Sequence, residues 1–201
     1  MKPTLLIASG NPGKLREISE ILTALEIELR NPRDIDLNLT VEETGTTYSE
    51  NALLKARAYQ QASGLPVLAD DSGLEVQVLG GKPGIHSARY SPKENANDAD
   101  RRAYLLSQIK EKPQPWHAHF HCTAILAMPN GQWYETIGRC AGLIIPEERG
   151  DGGFGYDPVF YLPEYQATMA QLSAKVKNRI SHRAIALAAM VPIIQAQLIG
   201  D

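Results

Sequence analysis

Very little in this chain marks it for the extracellular, membrane or nucleic-acid world. Its 201 residues hold two cysteines, Cys122 and Cys140. They lie far apart without metal-type spacing, which excludes a disulfide scaffold and fits reduced thiols of a cytoplasmic protein. An excess of basic residues is also missing. A formal net charge of −3 offers no broad attraction to nucleic acid, so a polymer substrate is disfavoured. Long hydrophobic runs are lacking as well. The apolar run after Met1-Lys2-Pro3-Thr4 is too short for a signal peptide. The stretch Ala184 to Ile194 is broken by Pro192 and falls short of the ~20 residues that a membrane span needs, so no membrane role is expected. No repeat, low-complexity tract or long linker interrupts the sequence. With 43% hydrophobic and 21% charged residues it reads as one globular folding unit over 1–201, a single domain or one domain with two lobes.

What is present begins at Ser9-Gly10-Asn11-Pro12-Gly13-Lys14, between the apolar run Leu5 to Ala8 and a helix-patterned stretch. Gly10 and Gly13 permit unusual backbone angles and close approach, Asn11 suits an N-cap, and Pro12 suits the first helical position. Outward-pointing N–H groups at such a helix start attract phosphate oxygens, and Lys14 adds a full charge. Leu15, Ile18, Leu22 and Leu25 share one helical face while Glu17 and Glu20 fall elsewhere. The P-loop pattern is not met: two residues separate the glycines and Leu15 follows the lysine. An ordinary strand-to-helix turn explains the segment by itself equally well.

Thr47-Tyr48-Ser49-Glu50 reads as a capping box opening a helix through Ala62, with Gly64 as its stop. A strand Pro66 to Ala69 follows, and Asp70-Asp71-Ser72-Gly73 is expected at its C-terminal edge, where α/β sheets present ligands. Paired carboxylates near a phosphate loop suit Mg²⁺, a hard ion held by one or two acids and substrate phosphates; a turn with a capping Asp is the alternative. Leu74, Val76 and Val78 alternate as a further strand, and a third helix is predicted over Asp98 to Ile109. His117 to Met128 and Gln132 to Cys140 flank a hairpin turn at Pro129-Asn130-Gly131. A strand over Val159 to Tyr161 and a helix from about His182, capped by Ser181, complete an α/β fold with a mixed, twisted central sheet flanked by helices.

Other groups carry chemical meaning with open alternatives. Glu42-Glu43 matters only if the fold brings it beside Asp71. Asn51 and Lys55 share a helix face and would offer an amide and a cation, or simply face solvent. In Gly153-Phe154-Gly155-Tyr156-Asp157, the rings suit stacking on a flat base and Asp157 suits bonding its edge; a tight turn packing its aromatics inward is the other reading. His182 and Arg183 sit in a helix's first turn, against the macrodipole, with Lys177 and Arg179 just upstream. A bound electronegative partner would offset that cost; a solvated surface cluster is the other reading. His117, His119 and His121 share one strand face, as an outer polar surface or a zinc pair would.

Taken together, Ser9-Gly10-Asn11 with Lys14, Glu42-Glu43-Thr44-Gly45, Glu50-Asn51-Ala52 with Lys55-Ala56, Ala69-Asp70-Asp71-Ser72-Gly73, Pro83-Gly84-Ile85 with Ser87-Ala88-Arg89-Tyr90, Gly153 to Pro158 and Ser181-His182-Arg183 resemble the inosine triphosphate pyrophosphatases, also called dITP/XTP pyrophosphatases. The motifs run in family order across nearly the whole chain. The resemblance implies Mg²⁺-dependent hydrolysis of deaminated purine nucleoside triphosphates to monophosphate and pyrophosphate, by a homodimer with an active-site cleft between two lobes. By position it implies that Ser9, Gly10, Asn11, Pro12, Gly13 and Lys14 hold phosphates, that Asp71 is the general base and, with Glu43, a metal ligand, and that Ser72, Phe154, Gly155, Tyr156, Asp157, Lys177, His182 and Arg183 hold the nucleotide. His86 stands where the family often has an aromatic such as tyrosine, and Pro12 varies a permissive position. A pyrophosphatase for modified pyrimidine or other nucleotides and a regulatory nucleotide-binding module are the competing readings.

Overall fold

The computed structural model describes residues 2–200. Seven strands form one mixed sheet in the order β2-β1-β3-β4-β5-β6-β7. These are β1 Thr4–Ile7, β2 Glu28–Arg30, β3 Val67–Val76, β4 Trp116–Ala127, β5 Trp133–Ile144, β6 Phe160–Leu162 and β7 Ala167–Thr168. The helices are α1 Pro12–Leu22, α2 Tyr48–Ser63, α3 Asp98–Ile109, α4 Ala174–Ile180 and α5 His182–Ile194. β1 is parallel to β2 and to β3, with Leu6 opposite both Arg30 and Val67. The β5–β6 and β6–β7 pairs are antiparallel. β4 and β5 are joined at the predicted turn, where Met128 N–H donates to the Gln132 carbonyl and Gly131 takes a φ of +87°.

The chain folds as two compact units. The first holds residues up to Asp71, Cys122–Gly138 and the segment from His182 onward; the second holds Ser72–His121 and Arg139–Ser181. The division falls inside three strands, after Asp71 in β3, after His121 in β4 and after Gly138 in β5.

Within the first unit, β1 and β3 bury both faces. Leu5, Ile7 and Leu68 pack with Ile18 and Leu22 of α1 and with Leu187, Met190 and Ile194 of α5. Leu6, Val67 and Ala69 pack with Ala52, Ala56 and Tyr59 of α2. Alternate residues of β3 therefore look toward α1 and α5 or toward α2, the period-2 geometry of any strand. With the helical turn that continues α5, His182–Ile199 is 18 residues long with mean hydropathy 1.4, enough by length and composition to cross a membrane. One face of it packs in the core, where Ala186, Leu187, Met190 and Ile194 are buried against β1 and α1, while Ile185 and Ile199 are exposed. The second unit has its own core, built from Leu74 and Val76, Leu105 and Ile109 of α3, Trp116, Phe120, Tyr156 and Phe160.

Two elements differ from the sequence expectation. β3 runs unbroken through Asp70-Asp71-Ser72-Gly73, so both aspartates sit in mid-strand and not at its C-terminal edge. Asp, Ser and Gly disfavour strands, and here tertiary charge partners override that preference. α4 was not expected; its seven residues are too few to show periodicity, and Ser173 caps it by accepting from the Val176 N–H at 3.4 Å.

Candidate active site

In the first unit the β1–α1 turn is shaped by its own side chains. Asn11 Oδ1 accepts from the N–H groups of Gly13 at 2.8 Å and Lys14 at 3.2 Å, and Ser9 Oγ accepts from Asn11 N–H at 3.2 Å. The outward-pointing donors expected here are thus already occupied by the cap, and an anion would have to replace these bonds. Gly10 and Gly13 both lack positive φ, and a Cβ on Gly10 would meet nothing within 4 Å. Neither glycine is demanded by backbone conformation.

Asp70 and Asp71 diverge to the two faces of β3, one toward α1 and α5 and the other toward α2. Asp70 Oδ2 lies 2.9 Å from Lys14 Nζ and accepts from Arg183 Nη2 at 3.1 Å and Nε at 3.3 Å. A second arm of the Arg183 guanidinium binds Glu17 in a short ion pair. Arg183, Asp70 and Glu17 are all buried. The solvated reading of Arg183 fails, and the negative charge beside it comes from two carboxylates of the protein itself; Glu17, expected away from the apolar face, lies inside. Burial alone would raise the Asp70 carboxyl, but Lys14, Arg183 and Lys55 outweigh it and hold the group well below the ordinary carboxylate range. Cys122, 3.9 Å from Asp70, is pushed up to about 12 by burial and that neighbouring charge, and is inert as a thiol.

Asp71 faces different partners. Asn51, buried in α2, donates from Nδ2 to Asp71 Oδ2 at 3.3 Å and accepts at Oδ1 from Gly45 N–H at 2.8 Å. A Cβ on Gly45 would stand 2.7 Å from that same Asn51 oxygen, so only glycine lets the loop after Glu43 close on the helix. Lys55 Nζ is 2.8 Å from Glu43 Oε1, 3.5 Å from Asp71 Oδ1, and donates to the Asp70 carbonyl at 2.7 Å. The open question over Asn51 and Lys55 is settled toward the acids and away from solvent. Glu42-Glu43 gains its meaning in the same way, since Glu43 and Asp71 meet on one ammonium. Burial raises the Asp71 carboxyl, Lys55 and Lys14 counter that, and the charges of Glu43 and Asp70 raise it further; the balance lies above the usual value.

Two carboxylates gathered on one cation are hard oxygen donors of the kind Mg²⁺ takes. Among the described residues no group of three or more His, Cys, Asp or Glu side chains is arranged to hold a metal ion. The three strand histidines do not converge on such a site: His119 Nε2 lies 3.2 Å from Glu75 Oε2, and His121 Nδ1 accepts from Arg139 Nε at 3.2 Å.

The second unit holds Ser72, Phe154 to Asp157 and Lys177. Asp157 Oδ2 accepts from the Phe154 N–H at 2.9 Å and pairs with Lys177 Nζ at 2.5 Å, while the same ammonium lies 4.9 Å from the Phe154 ring centroid. Asp157 is thus spent on closing its own loop. Gly153 is required there, because its φ is +72° and a Cβ would stand 2.0 Å from Asp157 Oδ2. Tyr156 does not stand ready for stacking: its ring is in the core and its hydroxyl donates to the Ser87 carbonyl at 2.9 Å. The inward-packing alternative holds for Tyr156, leaving Phe154 as the ring of this loop outside the core cluster. Gly155 is pinned by Asp98, which accepts from its N–H at 2.8 Å, and by Arg102, which donates to its carbonyl at 2.8 Å.

Comparison with known proteins decides the family. A model of the Ham1 family matches residues 5–193. The chain belongs to the Ham1 family. A dITP/XTP pyrophosphatase of Geobacter sulfurreducens is 49% identical over 185 residues, covering 92% of each chain. One of Geobacillus kaustophilus is 46% identical over 184 residues, 91% of this chain and 90% of that one. Among solved structures, a HAM1 protein from Coxiella burnetii superposes with a TM-score of 0.86 at 39% identity, over 96% of this chain and 98% of that one. The Ham1 fold accounts for the mixed sheet.

Three features of this Ham1 chain escaped sequence reasoning. Glu17 is buried because its cation, Arg183, comes from the far end of the chain. Asp98 and Arg102 read as ordinary residues of α3, yet they fix the Gly155 backbone. The one available signal for Glu17 was its place three residues after Lys14 and four before Ile21, neighbours on a helix surface.

Proposed function

We propose that the protein hydrolyses deaminated purine nucleoside triphosphates, dITP, ITP and XTP, to the monophosphate and pyrophosphate. The observation that carries this reading is Asp71: a buried carboxylate, oriented by Asn51 and Lys55, with its carboxyl raised, on the strand that also carries the carboxylate paired with Lys14. A raised carboxylate accepts a proton more readily than an exposed one, and orientation fixes where that proton is taken. Relatives named dITP/XTP pyrophosphatase at 46–49% identity support the substrate class.

In this reading Ser9 to Lys14 bind the phosphates, with Lys14 supplying charge and the start of α1 supplying N–H donors once the Asn11 cap yields. Asp71 takes the proton of a water that attacks the α-phosphorus; the water oxygen bonds to phosphorus as the bond to the bridging oxygen breaks, and pyrophosphate leaves with that bond's electrons. Mg²⁺, held by Asp71 and Glu43, would neutralise phosphate oxygens when bound. On the family resemblance, Ser72, Phe154, Gly155, Lys177 and His182 hold the nucleotide, while Tyr156, Asp157 and Arg183 are engaged within the protein itself. The 6-keto oxygen of hypoxanthine and xanthine accepts where adenine's amino group donates, so cationic or N–H donors favour the former. A homodimer in the cytoplasm is part of the same proposal; the buried, unpaired Cys122 and Cys140 suit a reducing compartment.

The test is product analysis. Incubation of dITP with the protein and Mg²⁺ yields dIMP and pyrophosphate over many turnovers, and chelation stops it. Orthophosphate and dIDP as products, or binding without turnover, would refute the proposal.

A further inference from the structure

Two cations from opposite ends of the chain converge on a single oxygen. Lys14 Nζ and both the Nε and Nη2 of Arg183 address Asp70 Oδ2, at 2.9, 3.3 and 3.1 Å. Asp70 Oδ1 is buried and has no hydrogen-bond partner among the described residues. A carboxylate serving only to neutralise Arg183 would take the planar guanidinium across both oxygens, as the bidentate pair is the stronger arrangement. Here the guanidinium divides itself between Glu17 and one oxygen of Asp70, and that oxygen also receives Lys14.

We propose that Asp70 is a positioning residue: anchored by buried Arg183, it holds the Lys14 ammonium in a fixed place at the start of α1, so that the triphosphate meets a stationary cation. A lysine side chain carries about 2 kcal/mol of rotamer entropy, and a phosphate-binding lysine left mobile loses it when the substrate arrives. Tethering Lys14 beforehand removes that loss. The tether also references Lys14 to the reacting water, since Asp70 and Asp71 are consecutive on one strand, a rise of about 3.3 Å. Lys55 stiffens that step by donating to the Asp70 carbonyl at 2.7 Å while lying 3.5 Å from Asp71. Asp70 also competes with phosphate for Lys14, which offsets that gain in the ground-state complex; what remains is the placement of the ammonium relative to the water at Asp71, an effect on turnover more than on affinity.

This inference rests on the proposed pyrophosphatase activity, and a double-mutant cycle on dITP hydrolysis separates the two. Asp70→Asn is expected to lower kcat about 10–100-fold, the range typical of orienting groups, with KM changed by less than about threefold. In a Lys14→Met background the same substitution is expected to change kcat by less than about twofold, because the residue through which it acts is gone. An equal loss in both backgrounds would overturn the proposal, as would a loss confined to KM. Should Asp70→Asn fail to fold, the wild-type protein gives the answer: the ¹⁵N order parameter of the Lys14 ammonium, assigned by its disappearance in Lys14→Met, is that of an immobilised group. Mobility equal to that of exposed Lys175 overturns the proposal. A wild type inert toward dITP but with an immobile Lys14 ammonium would leave the tether standing and remove the assigned activity.

Discussion

The Lys55 ammonium donates to the Asp70 carbonyl at 2.7 Å, and through that bond a side chain of α2 sets the backbone of the strand on which Asp71 stands. The same ammonium is 2.8 Å from Glu43 and 3.5 Å from Asp71. Burial opposes its charge, yet Asp71, Asp70 and Glu43 together hold the Lys55 pKa above its ordinary value, so it stays charged through the physiological range.

Lys55→Met keeps the bulk of the stem while removing the charge and the donor. Asp71 then loses its orientation, and kcat for dITP is expected to fall about 10–100-fold, with a loss of thermal stability beside it because Asp71 and Glu43 are left without their cation. Steady-state kinetics beside a melting curve check this; full turnover in the variant would remove Lys55 from the account.

The two glycine motifs separate by stability. Gly153→Ala places a Cβ 2.0 Å from Asp157 Oδ2 at a φ of +72°, displacing the acid that pairs with Lys177. A loss of at least 1–2 kcal/mol, roughly the cost of left-handed backbone alone, is expected in denaturant unfolding. Gly10→Ala, with open space around its Cβ, is expected to leave stability within about 0.5 kcal/mol. Its kcat/KM should nevertheless fall, because phosphates approaching this turn would meet the new methyl. Unchanged kinetics in Gly10→Ala would contradict phosphate binding there.

Arg183 sits between Glu17 and Asp70, all three buried. Arg183→Met leaves two carboxylates inside without their cation, and about 3–5 kcal/mol of stability is expected to be lost. Chemical denaturation measures it; a variant as stable as the parent would show that the pairing contributes nothing net.

Asp70 also sets an acid limb. Its folded carboxyl titrates below the ordinary value of 3.8, so its stabilisation is complete above that pH and is lost as pH falls through the lowered folded value. Between about pH 4 and pH 2 the parent is expected to lose stability more steeply than Asp70→Asn. Parallel curves over that window would contradict the ion-pair account.

How much of this was legible in the sequence depends on where each residue's partner lies. Caps and turns are local, and Asn11, the Thr47–Glu50 box and Gly64 gave α1 and α2 their boundaries before any fold was known. The Ser9–Lys14 turn and the Asp70-Asp71 pair were likewise visible as residues. Long-range pairing was not: nothing around Glu17 announces Arg183, and nothing around Asp70-Asp71 announces that Lys14, Lys55 and Arg183 compensate them well enough to keep them inside a ten-residue strand. Arg183 is the instructive case. Its unfavourable place at a helix start correctly signalled a missing negative charge, but local sequence has no means of saying whether a ligand or the protein supplies it. Tyr156 and Phe154 show the same limit, since two aromatics in one glycine-rich loop divide between core and loop according to the packing of distant Ser87 and Lys177.

Selectivity for a 6-keto purine in a pyrophosphate-releasing hydrolysis is what the proposed function requires of this protein. Steady-state kcat/KM for dITP, XTP, dGTP and dATP, measured with Mg²⁺ by release of pyrophosphate, tests it most directly. dITP and XTP are expected to exceed dATP by at least about tenfold, the equivalent of roughly one hydrogen bond of discrimination at the 6-position, and any preference over dGTP, which carries the same 6-keto oxygen, has to arise at its 2-amino group. Equal values for all four, or a preference for dATP, would contradict it.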